Sequence, residues 1–136
     1  MVNECTLIIE TGPPIPFTVA DGTGIEKGTV LKLTDPMTAA LADGDADTIA
    51  GIAAEEKIAN DGRTKISVYR QGIFKAFAGT GGVTVGKAIV TDNGTSDDNE
   101  LADAGADDAF IIGIALETAS SAQSFLFELA INSTNT

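Results

Sequence analysis

Two stretches of this chain read alike, and that repetition constrains its fold more than any other feature. The first runs Lys27-Gly28-Thr29-Val30-Leu31, then Leu41-Ala42-Asp43, then Ile49-Ala50-Gly51-Ile52-Ala53-Ala54-Glu55. The second runs Val85-Gly86-Lys87-Ala88-Ile89, then Leu101-Ala102-Asp103, then Ile111-Ile112-Gly113-Ile114-Ala115-Leu116-Glu117. The three blocks recur at offsets of 58, 60 and 62 residues, a drift that small loop insertions produce. Similarity at such a period marks one supersecondary unit used twice, with each copy needing a neighbour to bury its apolar face. Each unit reads as a strand opened by a glycine, an acidic loop, a strand through a central glycine, and a return strand (Ile66 to Tyr69 and Phe125 to Leu129). Gly51 and Gly113 interrupt apolar runs, where glycine signals a bulge or a close backbone approach. Two such units closing on each other predict an all-β fold, a small β-barrel or sandwich.

The rest of the chain agrees with that expectation. Its 136 residues suit one domain with a real core. Trp is absent and aromatics are 5%, so Ile, Val, Leu and Ala must build that core. Strand-like runs at 5–10, 29–33, 48–53, 64–69, 72–77, 87–91, 110–116 and 124–131 are separated by turn signals such as Asn60-Asp61-Gly62. Met37 to Ala42 is the one helical candidate, and it is barely a turn and a half long. In Gly12-Pro13-Pro14-Ile15-Pro16 the prolines lack backbone donors, which argues against both helix and central strand. Residues 1–20 are therefore expected as an extended N-terminal arm, packed on its own domain or reaching a neighbouring subunit. Residues 21–136 are expected as a single β-domain holding repeats at about 23–72 and 80–130. Within the arm, Thr11, Pro13, Pro14, Ile15, Pro16 and Phe17 are the candidate protein-contact residues, because proline holds their apolar side chains in an extended form suited to a groove.

Charge and residue types exclude several functions. Twenty acidic residues against eight basic ones give a net charge of −12. Phosphate backbones and anionic membrane surfaces would both be repelled, so neither nucleic acid nor membrane is an expected partner. Such a charge suits a soluble particle facing bulk solvent. The chain has no histidine, and Cys5 is its single cysteine. The usual general bases, nucleophiles and thiolate metal sites are thereby removed. Gly81 to Lys87 has the spacing of a phosphate-binding loop, but Ala88 stands where Ser or Thr is required and β-formers follow instead of a helix. Asp43-Gly44-Asp45-Ala46-Asp47 begins like a calcium loop, yet Thr48 and Ala54 occupy the positions of the needed glycine and glutamate. The acids from Asp92 to Asp108 follow no ligand pattern. The expectation is no catalytic site, no cofactor and no metal. The N-terminus MVNECTLIIE has neither a basic region nor a long apolar run, so it does not read as a signal peptide.

Gly28-Thr29-Val30-Leu31, the Leu-Ala-Asp loops, Ile49-Ala50-Gly51-Ile52-Ala53 and Ile111-Ile112-Gly113-Ile114-Ala115 resemble the small capsid decoration (cement) proteins of tailed viruses. The resemblance covers about residues 23–130. It implies a barrel-like domain, made in the host cytoplasm, that sits on the outer capsid surface of the virion as a homotrimer. It implies that the major capsid protein is the partner, with adjacent subunits clamped against internal DNA pressure. An acidic protein is well placed outside a shell, away from packaged DNA. The alternative from another class is an extracellular adhesin or carbohydrate-binding module, against which the shortage of Trp and Tyr speaks. A cation-dependent hydrolase is more remote, given the missing histidine.

Overall fold

Alternating apolar residues between glycine-rich turns leave this chain little choice but strands. The computed structural model describes residues 3–92, 99–105 and 110–132, and among these there is no helix. Eleven strands follow in order: β1 (Thr6–Ile9), β2 (Ile15–Thr18), β3 (Val30–Asp35), β4 (Thr38–Leu41), β5 (Ile49–Ala53), β6 (Lys65–Tyr69), β7 (Gln71–Phe77), β8 (Ala88–Thr91), β9 (Leu101–Asp103), β10 (Ile111–Ala115) and β11 (Ser124–Asn132). Five of them close a barrel in the order β2-β4-β3-β5-β6, and six form a sheet in the order β1-β7-β11-β10-β8-β9.

The two assemblies follow one path. Going β2-β6-β5-β3-β4 through the barrel corresponds to going β7-β11-β10-β8-β9 through the sheet. The barrel closes by a parallel pairing of Thr18 with Thr38, and an isolated parallel bridge joins Ala78 to Leu101 at the equivalent place. Antiparallel bridges Ile25–Lys57 and Val83–Ala119 correspond too. Gly28 N donates to Ala53 O at 2.9 Å, as Gly86 N does to Ala115 O at 2.8 Å. Both glycines have positive φ, 87° and 83°, a conformation that other residues adopt at a cost. The Glu55 carboxylate accepts from Ser67 N at 2.7 Å, and that of Glu117 accepts from Leu126 N at 2.9 Å.

Strand β5 is buried along its whole length. Ala50 and Ala53 face the interior of the barrel, with Leu31, Ile66, Val68 and Phe17. Ile49 and Ile52 face the other way, into a second core with Phe74, Ile112, Phe125 and Phe127 of the sheet. One wall of the barrel is thus the lid of the sheet. Within the barrel, glycine at position 51 lets β5 lie close to β6, since its φ is 151° and an added Cβ would collide with the carbonyl oxygen of Tyr69. Gly113 has the corresponding neighbour, the carbonyl oxygen of Glu128.

Two buried polar side chains tie these parts together. Asn99, 69 residues beyond its partner, accepts through Oδ1 from Val30 N at 2.9 Å. Its Nδ2 donates to Asn3 O at 2.7 Å and Gly28 O at 3.0 Å. Lys57 is wholly buried, and its ammonium donates to Asp21 O (2.7 Å), Ile58 O (3.0 Å), Asp61 Oδ1 (3.1 Å) and Asp21 Oδ1 (3.2 Å). A buried charge persists only when its donors are met this fully.

Three sequence expectations change. The segment expected as an N-terminal arm is extended but built into the domain: β1 pairs with β7, and β2 pairs with β6 along its length. Prolines are tolerated because β2 meets its other neighbour, β4, only at Thr18, so no second ladder demands their donors. The helical candidate at Met37 to Ala42 is the hairpin tip and strand β4, because pairing with β3 outweighs the weak preference of so short a stretch. The Leu-Ala-Asp blocks, read as loops, begin in strands, β4 ending at Leu41 and β9 spanning Leu101–Asp103.

The collision at Gly113 is steric and owes nothing to an unusual φ, which separates it from turn glycines such as Gly81, whose φ is 88° with open space around it. Gly113→Ala is expected to cost about 3 kcal/mol in urea unfolding, and Gly81→Ala about 1 kcal/mol. Equal costs would show that close approach at β10 is unimportant.

Candidate functional site

Folding distributes the sequence candidates unequally between the inside and outside of the molecule. Phe17 is 2% exposed within the barrel, with the Arg70 guanidinium 5.9 Å from its ring centroid, so it belongs to the fold. Thr11, Pro13, Ile15 and Pro16 lie exposed and Pro14 half-buried, forming a short ridge along the outside. Gly12, within that ridge, lies flat against the side chain of Gln71 on β7.

The acidic loop after β4 uses its carboxylates internally. Asp47 Oδ2 accepts from the backbone of Asp43 and Gly44, both at 3.0 Å. Lys32 pairs with Asp43 at 2.8 Å, which holds that carboxyl below the usual carboxylate range and raises the lysine. The loop is pinned to the end of β8, where Ala46 N donates to Thr91 O and Asp47 N to Thr91 Oγ1, each at 2.9 Å. Asp45 and Asp92 meet there as a backbone bridge and carboxyl pair. Burial, then the neighbouring Asp45 charge, pushes Asp92 up, against a backbone hydrogen bond from Thr80 that lowers it. In the later acidic stretch Asp103 accepts from Thr84 N and Thr84 Oγ1, each at 2.9 Å. Asp97, Asp98, Asp107 and Asp108 lie outside the described residues. Among the described residues no three acids, cysteines or histidines stand together as a metal site.

Two further candidates resolve into structure. The glycine-rich stretch from Gly81 to Lys87 is a turn leading into β8, with Lys87 N bonded to Thr84 O at 3.1 Å. Cys5 is buried beside Gly28 and Asn99, and burial pushes its thiol up to about 12, well away from thiolate chemistry.

Single exposed apolar side chains such as Met37, Ile58 and Val85 are scattered over turns and loops, whereas Ile9, Ile114 and Leu116 stand out toward solvent from the six-stranded sheet and its margin. No single-residue motif marks it, since a sheet face assembles only when distant strands pair.

The described residues thus form two linked β units, with several carboxylates bonded within the fold and apolar side chains exposed on the sheet. A model of the phage cement protein family matches residues 9–130. The chain belongs to that family. As a phage cement protein it is a structural component of the phage head, on the exterior of the capsid. No curated protein sequence matches it. Among solved structures, the N base of the head fiber gp8.5 of bacteriophage phi29 is similar in fold, with a TM-score of 0.57 at 17% identity, covering 85% of this cement protein and 93% of that chain.

The Asp45–Asp92 pair makes a pH prediction. Asp92 has a raised folded pKa, so its contribution to stability is greatest at low pH and is lost as pH rises through that value. At neutral pH the charged pair opposes folding, by a few tenths to about 1 kcal/mol because solvent screens it. Asp92→Asn is expected to melt higher than wild type at pH 7, with the difference shrinking toward pH 4. An advantage of equal size at both pH values would contradict the assignment.

Proposed function

We propose that the protein is a capsid decoration protein that binds the outside of the phage shell as a homotrimer and clamps adjacent major capsid subunits, stabilising the DNA-filled head. The observation that carries this reading is the family match across residues 9–130, nearly the whole chain. Such a clamp works by mass action: a ligand that binds only the assembled shell shifts the equilibrium toward that shell. It needs no bond-making step, in keeping with a chain that has no histidine and a buried, protonated Cys5.

The exposed ridge of Thr11, Pro13, Pro14, Ile15 and Pro16 is proposed as part of the contact. Proline limits its freedom before binding, so little entropy is lost on docking. Phe17 is left out of that surface because it holds the barrel together. The net charge of −12 sets the expected salt response. Copies crowded on a lattice repel one another, and salt screens that repulsion within about 8 Å at physiological strength.

Titrating undecorated shells with the pure protein tests this. Saturable binding is expected, holding or tightening as salt rises. Ile15→Glu is expected to weaken it about tenfold with an unchanged melting temperature. Substitution is the right probe, since truncating residues 1–20 would remove β1 and β2. Affinity that collapses with salt would instead indicate docking by the acidic loops onto a basic patch.

A further inference from the structure

An antiparallel sheet that covers a core with one face ordinarily turns polar side chains to water on the other. The six-stranded sheet departs from this. Ile9, Ile73, Glu128, Ile114 and Ala88 form one row across five strands, each paired with the next. In the neighbouring row Lys75 pairs with Leu126, whose carbonyl accepts from Leu116 N. Ile9 is 52% exposed, Ile114 41% and Leu116 40%.

The first unit indicates what such a row is for. Its equivalent there is Val30–Ile52–Tyr69, in the same order on β3, β5 and β6. The second unit covers that row: Ile52 is 0% exposed, against 41% for Ile114 at the matching position. One packing surface therefore occurs twice in the chain, covered once and open once. An apolar patch left open on a soluble protein marks a place of association.

We infer that the outer face of β7, β11 and β10, with Ile9 at its rim, is the surface that lies on the capsid, and that its partner is an apolar patch of the shell carrying a cation opposite Glu128. This rests on the reading of the protein as a decoration protein. A protein on the capsid exterior must turn one face to the shell, and in a chain of net charge −12 this face offers one lysine and one glutamate among apolar and neutral side chains. Glu128 stands where the covered row has Tyr69, so burying it requires an opposite charge from the partner. The face is also continuous with the proposed ridge, because Gly12 packs on Gln71, which shares the outer side of β7 with Ile73 and Lys75.

The test compares shell binding by wild type, the double variant Ile9→Glu/Ile114→Glu, and Ile58→Glu. Ile58 is 66% exposed on the loop between β5 and β6, away from this face, and controls for adding charge at an exposed isoleucine. The double variant is expected to bind at least about a hundredfold more weakly, and Ile58→Glu like wild type. Melting curves check folding; if the glutamates lower stability, Ile9→Thr/Ile114→Thr, with side chains that suit strands, takes their place with about a tenfold loss expected. Wild-type protein that fails to bind shells would defeat the decoration reading itself. Wild type that binds, with a double variant that binds equally well, would overturn this inference and leave that reading intact. A double variant that binds shells normally but no longer self-associates in sedimentation would also overturn it, assigning the face to a second copy of the chain.

Discussion

Burial of strand β5 on both faces is the constraint from which the rest of this structure follows. A strand with water on one side can alternate; this one presents alanines to the barrel interior and isoleucines to the sheet. The small residues leave room for Phe17 and Val68 inside a five-stranded barrel, too narrow for larger side chains on every wall. The isoleucines complete a core that the sheet, open on that side, could not close by itself. Neither unit is then a stable object alone, and the interval between the repeats is the distance along the chain needed to build one unit and return to cover it.

How much of this was legible in the sequence depends on whether the signal was local. Gly51 and Gly113 could be read as points of close approach because apolar runs flank them, and the structure places a carbonyl oxygen against each. Most strands were legible for the same reason. Strand β2 was not: the prolines around it argue against a ladder, and only the brevity of its pairing with β4, confined to Thr18, makes them acceptable, which is a tertiary fact. Strand β4 falls in the one short helical candidate, Met37 to Ala42, where a turn and a half of local signal decides little and pairing with β3 settles the conformation. Asn99 sits in a stretch rich in Asp and Asn, where nothing separates a buried tie from a solvated loop residue. Lys57 is similarly hidden, since a lysine after two glutamates reads as surface charge until its four oxygen partners are seen.

The candidate surface shows the same division. The ridge from Thr11 to Pro16 was visible in the sequence as proline-held and apolar, though Phe17 turns inward from it. The apolar face of the sheet was invisible there, because Ile9, Ile73 and Ile114 are far apart in the chain and meet only through pairing. The acids divide the molecule further. Asp47 and Asp103 accept from backbone donors and Asp43 pairs with Lys32, which occupies these carboxylates within the fold and leaves a mostly uncharged sheet face in an otherwise anionic protein. Strong net charge keeps such a protein soluble despite an open apolar face, and an uncharged face lets it settle on a surface without long-range repulsion at the contact.

An electron cryo-microscopy reconstruction of shells decorated with this protein tests the account most directly, because it reads orientation without any substitution. Density for the protein is expected on the outside of the shell, with the outer faces of β7, β11 and β10 turned onto the capsid subunits and the loop from Asp43 to Asp47 away from them. Decorated shells on which that loop makes the contact, with the sheet face open to solvent, would contradict it.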